Sequence, residues 1–186
     1  MVLAAAMKTP LRIRLRSFLR ARDGVAALEF AVILPVMLIL YIGVIEISDA
    51  YPLSGKVETT ASSLADLAAQ TSSIGPAEMT NILDAASAIV APYPTADLGL
   101  RLSGVKVNSS GVARIAWSRG RGKLGPRGTN STVSLPTSLD TPNSFLVMAE
   151  VVYEYTPIIG QILPAEIEFD STFYTRPRIS PEITLR

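Results

Sequence analysis

"GVAALEFAVILPVMLILYIGVIEISDAY", Gly24–Tyr51, is the stretch that decides how this chain is built. Between Gly24 and Ile47 the only charges are Glu29 and Glu46. A helix rising about 1.5 Å per residue needs about 20 residues to cross the hydrocarbon of a bilayer. Val25–Ile47 is long enough. Glu29 nevertheless lies just inside the run, and an ionised side chain at the centre of a membrane helix costs roughly 2.5–3.5 kcal/mol. That carboxylate needs a physical reason.

The flanks set an orientation. Upstream stand Lys8, Arg12, Arg14, Arg16, Arg20 and Arg22 against a single acid, Asp23; downstream come Asp49, Lys56, Glu58 and Asp66. Under the positive-inside rule this asymmetry keeps the N-terminus in the cytoplasm and sends residues beyond about 50 across the membrane. Met7 is an alternative start that leaves the asymmetry intact.

The remaining composition is consistent with one modest domain attached to that segment. The 186 residues are 48% hydrophobic with a net charge of +1, so no polyanionic partner is expected for the chain as a whole, and no nucleic acid. There is no cysteine and no histidine. Disulfides, thiolate zinc sites and cysteine nucleophiles are excluded, along with the commonest general base and metal ligand. Lys8, Lys56, Lys106 and Lys123 could on paper activate a serine, but each reads more simply as a solvated surface charge. The expectation is no enzyme, no cofactor and no catalytic residue.

Three readings compete for the apolar run. A cleaved secretory signal fits poorly, because the run exceeds the usual 7–15 residues and no Ala-x-Ala site follows it. A plain signal anchor explains the charges and the length but not Glu29. Cleavage between Gly24 and Val25 explains both. It gives Val25 a free α-amine, and Glu29 lies four residues on, one helical turn away on the same face. The two charges can then neutralise one another, within one subunit or between neighbours. Negative charge in a first turn is also favoured by the helix dipole.

A basic leader, Gly24, "VAALEF" and a long apolar helix together resemble the class-III signal of type IV pilins. In the Flp or tight-adherence branch that resemblance implies processing after the glycine, with Glu at the fifth mature position and an aromatic at the sixth. Glu29 and Phe30 stand there. The whole of Gly24–Tyr51, with its internal proline and "IEI" exit, is most similar to TadE-like minor pilins (pseudopilins). The resemblance extends to "TASSLADLAAQ" (60–70) and "YTRPRIS" (174–180). It implies a leader-cleavage site at Gly24 and Val25 and an assembly register set by Glu29 and Phe30. Pro35 removes a backbone hydrogen bond near residue 31 and reads either as a tolerated membrane proline or as a helix kink. Glu46 reads as an interfacial, solvated acid at the outer boundary, with an intersubunit partner as the alternative.

Beyond the membrane the pattern is α+β: a long N-terminal transmembrane helix, then a small domain with an antiparallel sheet of about four strands and a covering helix. Residues 1–24 form the leader, 25–50 the transmembrane helix, 51–72 an amphipathic helical extension and 73–186 the extracytoplasmic domain. Tyr51-Pro52-Leu53 is expected to interrupt or bend the path. In the extension Val57, Ala61, Leu64, Ala65 and Ala68 form a narrow apolar stripe suited to packing on its own domain. Gly75-Pro76 opens a second helix with Met79, Ile82, Leu83, Ala86, Ile89 and Val90 on one face, and "APYP" (91–94) ends it. From Leu98 the period is two: Leu98, Leu100 and Leu102; then "VKVNSSGVARIAW" as strand, turn and strand. Phe145, Val147, Ala149, Val151, Tyr153 and Tyr155 alternate next, and Ile167, Phe169 and Phe173 oppose Glu166, Glu168 and Asp170.

Two loops complete the chain. "SRGRGKLGPRG" (118–128) reads as a solvated, flexible basic loop without the aromatics that stack bases; contact with DNA, acidic surfaces or anionic lipid is its alternative. "TPIIGQILPAE" (156–166), with Ile158, Ile159, Ile162 and Leu163, reads as a turn or short helix folded into the core, or else as an exposed partner patch.

The function expected from the resemblance is a minor pilin taking part in assembly of a bacterial Flp/Tad pilus for surface adhesion and biofilm formation. Its partners would be the inner membrane, a prepilin peptidase, other pilins and Tad secretion and assembly proteins. It would be single-pass in the inner membrane, N-terminus cytoplasmic and domain outside, or extracellular in the pilus. The rival is an uncleaved single-pass protein whose outer domain binds a ligand or partner protein.

Overall fold

The computed structural model describes residues 24–157 and 166–186. The basic leader, and Ile158, Ile159, Ile162 and Leu163 of the apolar connector, lie outside the described residues. The described residues fall into two units, one ending at Gly43 and the other beginning at Val44. The first helix, α1, spans Val25–Ala69 without a break, so the interruption expected at Tyr51-Pro52-Leu53 does not occur. Pro52 leaves the carbonyl of Ser48 without its helical donor, but both residues are exposed. An orphan carbonyl on that face can take its hydrogen bond from solvent. The helix also runs through Pro35.

Within the second unit, α1 buries one stripe. Ala50, Leu53, Val57, Ala61, Leu64, Ala65 and Ala68 are all inside, at the three- and four-residue spacing that keeps side chains on one helical face. Glu46 heads the same stripe, four residues before Ala50, and is only 1% exposed. It is a buried acid of the domain, which corrects its reading as a solvated interfacial charge. The small side chains of the stripe let the helix lie close to its neighbours in one core.

The second helix, α2, runs Pro76–Ala88, with Pro76 in its first turn and Met79, Ile82, Leu83 and Ala86 buried. Four long strands follow: β2 (Leu98–Val107), β3 (Ala113–Gly122), β4 (Phe145–Tyr155) and β5 (Ile167–Thr175). They form one antiparallel sheet in the order β3-β2-β4-β5. Asn108 builds the β2–β3 turn by accepting from the backbone N–H groups of Ser110 and Val112, with Gly111 at φ 78°. Two short strands, β1 (Ser73–Ile74) and β6 (Thr184–Leu185), pair in parallel. Two residues apiece carry no readable period, and sequence reasoning missed them.

The inward face expected of β4 packs with α1 and α2 in the larger core, together with Leu98, Leu100, Leu102 and Trp117. Trp117 Nε1 donates to the carbonyl of Ile183 at 2.7 Å, holding the C-terminal strand on the domain. Gly104 sits beneath that indole: a Cβ there would fall 2.5 Å from Trp117 Nε1 and 2.7 Å from Phe145 Cζ. A second core covers part of the opposite sheet face, where Val105, Val107, Ala113, Ile115, Leu146 and Met148 meet Val133, Leu135, Leu139 and Tyr174. This is why β4 is buried on both faces from Phe145 to Val151.

Lys56 is half-buried and not the solvated lysine of the sequence reading. Its Nζ donates to the carbonyl of Ala91 at 2.6 Å and of Ile89 at 3.2 Å. A cation from α1 thus closes the C-terminal end of α2, where orphan carbonyls gather. Lys56→Met keeps the stem and removes the donor. It is expected to lower domain stability by roughly 1–2 kcal/mol, measured by denaturant unfolding, with faster amide exchange confined to the turn after α2.

Candidate functional site

The residues singled out at the start of α1 all lie in the first unit, where every residue from Gly24 to Tyr41 is exposed. Val25 is the first helical residue and Glu29 the fifth, which puts the two on one face a turn apart. Glu29 stands one residue beyond the first turn, which holds no acid. The dipole argument for that carboxylate therefore falls away, and the case for it rests on pairing. Among the described residues Glu29 makes no ion pair or hydrogen bond. Phe30 is 63% exposed beside it.

Gly24 adds an independent constraint. Its φ is not in the left-handed region, and a Cβ added there would meet nothing within 4 Å among the described residues. Neither backbone conformation nor local packing demands glycine, in contrast to Gly104. A requirement for a minimal side chain at Gly24 would have to come from outside the described fold.

Apolar length and exposure combine in one element. The helix Val25–Ala69 is long and apolar enough to cross a membrane, and Leu28, Val32, Val36, Leu40 and Tyr41 all present their side chains outward. A helix apolar around its circumference is one that lipid or neighbouring helices must cover. Residues 24–69 match the family of TadE-like proteins. The matched segment begins at Gly24 and ends at the last residue of α1. It takes in nearly all of "TASSLADLAAQ" and stops short of "YTRPRIS", so the match covers less of the chain than the sequence resemblance suggested. No curated protein and no solved structure matches the chain. The TadE-like match points to a protein associated with the Tad pilus, and the one such apolar helix among the described residues suits single-pass membrane anchoring.

Outside the TadE-like segment, the basic stretch 118–128 differs from its expected state. Arg119 and Arg121 belong to β3. Arg121 pairs with Asp84 at 2.5 Å, Lys123 pairs with Glu154 and Arg127 pairs with Glu150 at 2.6 Å. The loop is pinned to the sheet and much of its charge is neutralised from within, which weakens every reading based on a free polyanion-binding loop. Glu150 is the centre of this arrangement. Arg101 donates to both of its oxygens at 2.7 Å, and Arg127 donates to both at 2.9 and 2.6 Å. Burial by itself would raise the carboxyl pKa. The hydrogen bonds from Arg127 and Arg101, with their charges, overcome burial and bring it down to about 2.

Tyr93, Tyr153 and Tyr155 gather near the buried end of the domain stripe. Tyr93 donates to the carbonyl of Asp49 at 2.7 Å and Tyr153 to that of Pro94 at 2.9 Å. The Tyr155 hydroxyl is buried and has no hydrogen-bond partner among the described residues. Burial raises its pKa, helped by the charges of Asp49 and Glu46. No group of three or more metal-ligating side chains occurs among the described residues.

Proposed function

We propose that this chain is a minor pilin, or pseudopilin, that takes part in assembling a Flp/Tad pilus used for surface adhesion and biofilm formation. In this reading a prepilin peptidase removes residues 1–24. The product is held single-pass in the inner membrane with its sheet domain outside the cytoplasm, and α1 joins other pilins or the Tad assembly proteins. The observation that carries the reading is the TadE-like match over residues 24–69. Two features support it: nothing among the described residues requires glycine at Gly24, and Glu29 has no partner among them, which a cation created at Val25 would supply.

The decisive experiment is the N-terminal sequence of the protein recovered from membranes of cells that make the pilus. The expected start is Val25. Gly24→Leu is expected to leave most of the protein with its leader attached. An intact leader in the wild-type protein would remove the cleavage step and favour the uncleaved anchor with a ligand-binding outer domain.

A further inference from the structure

The two edges of the four-stranded sheet are finished differently. The β3 edge is covered at its start, Ala113–Ile115, by the chain that follows it. Ile115 N–H donates to the carbonyl of Ser131 at 3.0 Å, Asn130 N–H to that of Ile115 at 2.8 Å, and Val133 N–H to that of Ala113 at 3.1 Å. Among the described residues the β5 edge has no such cover. Ile167–Thr175 pairs with β4 along its inner side, and among the described residues no backbone hydrogen bond reaches its outer side. A nine-residue open edge is a row of unpaired donors and acceptors, ready to template another strand.

The side chains along this edge alternate in character. Ile167 and Phe169 turn toward the larger core. Phe173, on the same face, remains 41% exposed. It opens onto a groove of about 480 Å³ between the strand and α1, lined also by Ser62, Asp66, Leu67, Thr175 and Arg178. The two charges in that groove pair with each other. Glu166, Glu168 and Asp170 occupy the alternate positions, all exposed, and none joins an ion pair among the described residues.

We propose that the outer edge of β5 accepts an added strand from a partner protein, an extended segment in which apolar residues alternate with Lys or Arg. Main-chain hydrogen bonds supply the attachment and alternate side chains supply the selectivity. Every second residue enters the groove beside Phe173 and Leu67, while the intervening cations meet Glu168 and Asp170. The same acids argue against a second copy of this chain. Two β5 edges brought together would set like charges across the new ladder, and the β3 edge of another copy is already occupied at Ala113–Ile115 by residues 130–133. The charges therefore act as a filter that blocks self-pairing and admits a basic strand. This inference does not depend on processing at Gly24.

The test uses the full-length protein in nonionic detergent micelles and a synthetic acetylated peptide of alternating valine and lysine. Its counterpart alternates valine and glutamate. Hydrogen–deuterium exchange is read segment by segment. The lysine peptide at saturation is expected to slow exchange across 167–175 by about tenfold, with the effect weakened by salt and absent with the glutamate peptide. The exposed double variant Glu168→Lys/Asp170→Lys should reverse the preference. Equal protection by both peptides, or no protection by either, overturns the proposal. Protection that grows with protein concentration in the absence of peptide would also overturn it, assigning the edge to a second copy.

Discussion

Glu29→Gln is expected to leave the chain inserted in the membrane while lowering its recovery with sheared pili by about 100-fold or more. The number follows from the physics of a buried pair: removing one partner of an ion pair in a dry environment costs roughly 3–5 kcal/mol, because the remaining charge keeps its desolvation penalty. In the bilayer a glutamine is easier to accommodate than a glutamate, so insertion does not suffer. In an assembled helix bundle the α-amine at Val25 would lose its counter-charge. The pairing has a second signature. In a Gly24→Leu background the amine is not produced, so adding Glu29→Gln should have little further effect. This non-additivity is what a coupled pair gives and independent roles do not. Full fibre recovery for Glu29→Gln in the cleavable background would refute the pairing outright.

The parts of the fold that could be read from sequence are those whose signal is local. β2 announces itself through Leu98, Leu100 and Leu102, and β4 through six alternating residues from Phe145 to Tyr155, since one face of each lies in the core. The stripe Val57, Ala61, Leu64, Ala65 and Ala68 is buried on its own domain, as helical spacing implies. The errors share a different cause, which is distance along the chain. The basic stretch 118–128 reads as solvated because its acids, Asp84, Glu154 and Glu150, lie 37, 31 and 23 residues from their partners. Val133, Leu135 and Leu139 are too scattered to suggest the second core that they help close.

Glu46 fails for a subtler reason. Hydropathy groups it with the membrane run, whereas its spacing to Ala50, Leu53 and Val57 places it on the stripe that the domain buries. Reading the period through the end of the apolar segment would have found it. The start of α1 is the reverse case. Gly24, Val25, Glu29 and Phe30 are conspicuous in sequence because the pattern is contiguous. Within the described structure they touch little, and in the proposed reading it is another protein that reads them.

Glu150→Gln is the substitution with the largest expected effect on the domain itself. The carboxylate is ionised at neutral pH and receives two side-on guanidinium contacts, from Arg101 and Arg127. Its folded pKa of about 2 lies below the ordinary 4.5. The stabilisation is therefore fully present above about pH 4.5 and is lost as pH falls through about 2. The shift corresponds to about 3 kcal/mol, reduced toward about 2 kcal/mol because the Arg127 side chain is 36% exposed and partly screened. Glutamine keeps the size but removes the charge, leaving two guanidinium groups side by side. The expected result at pH 7 is a fall in melting temperature of about 5–10 °C. The variant should also lose the wild-type protein's extra acid sensitivity between pH 4.5 and 2. Asp84→Asn, which breaks the exposed pair with Arg121, serves as the comparison and should cost less than about 1 kcal/mol. If both variants melt alike and keep the same acid slope, the triad is not what holds residues 123–128 to the sheet. Arg127 would then owe its position to the hydrogen bond from its backbone N–H to Ser118 Oγ at 3.0 Å.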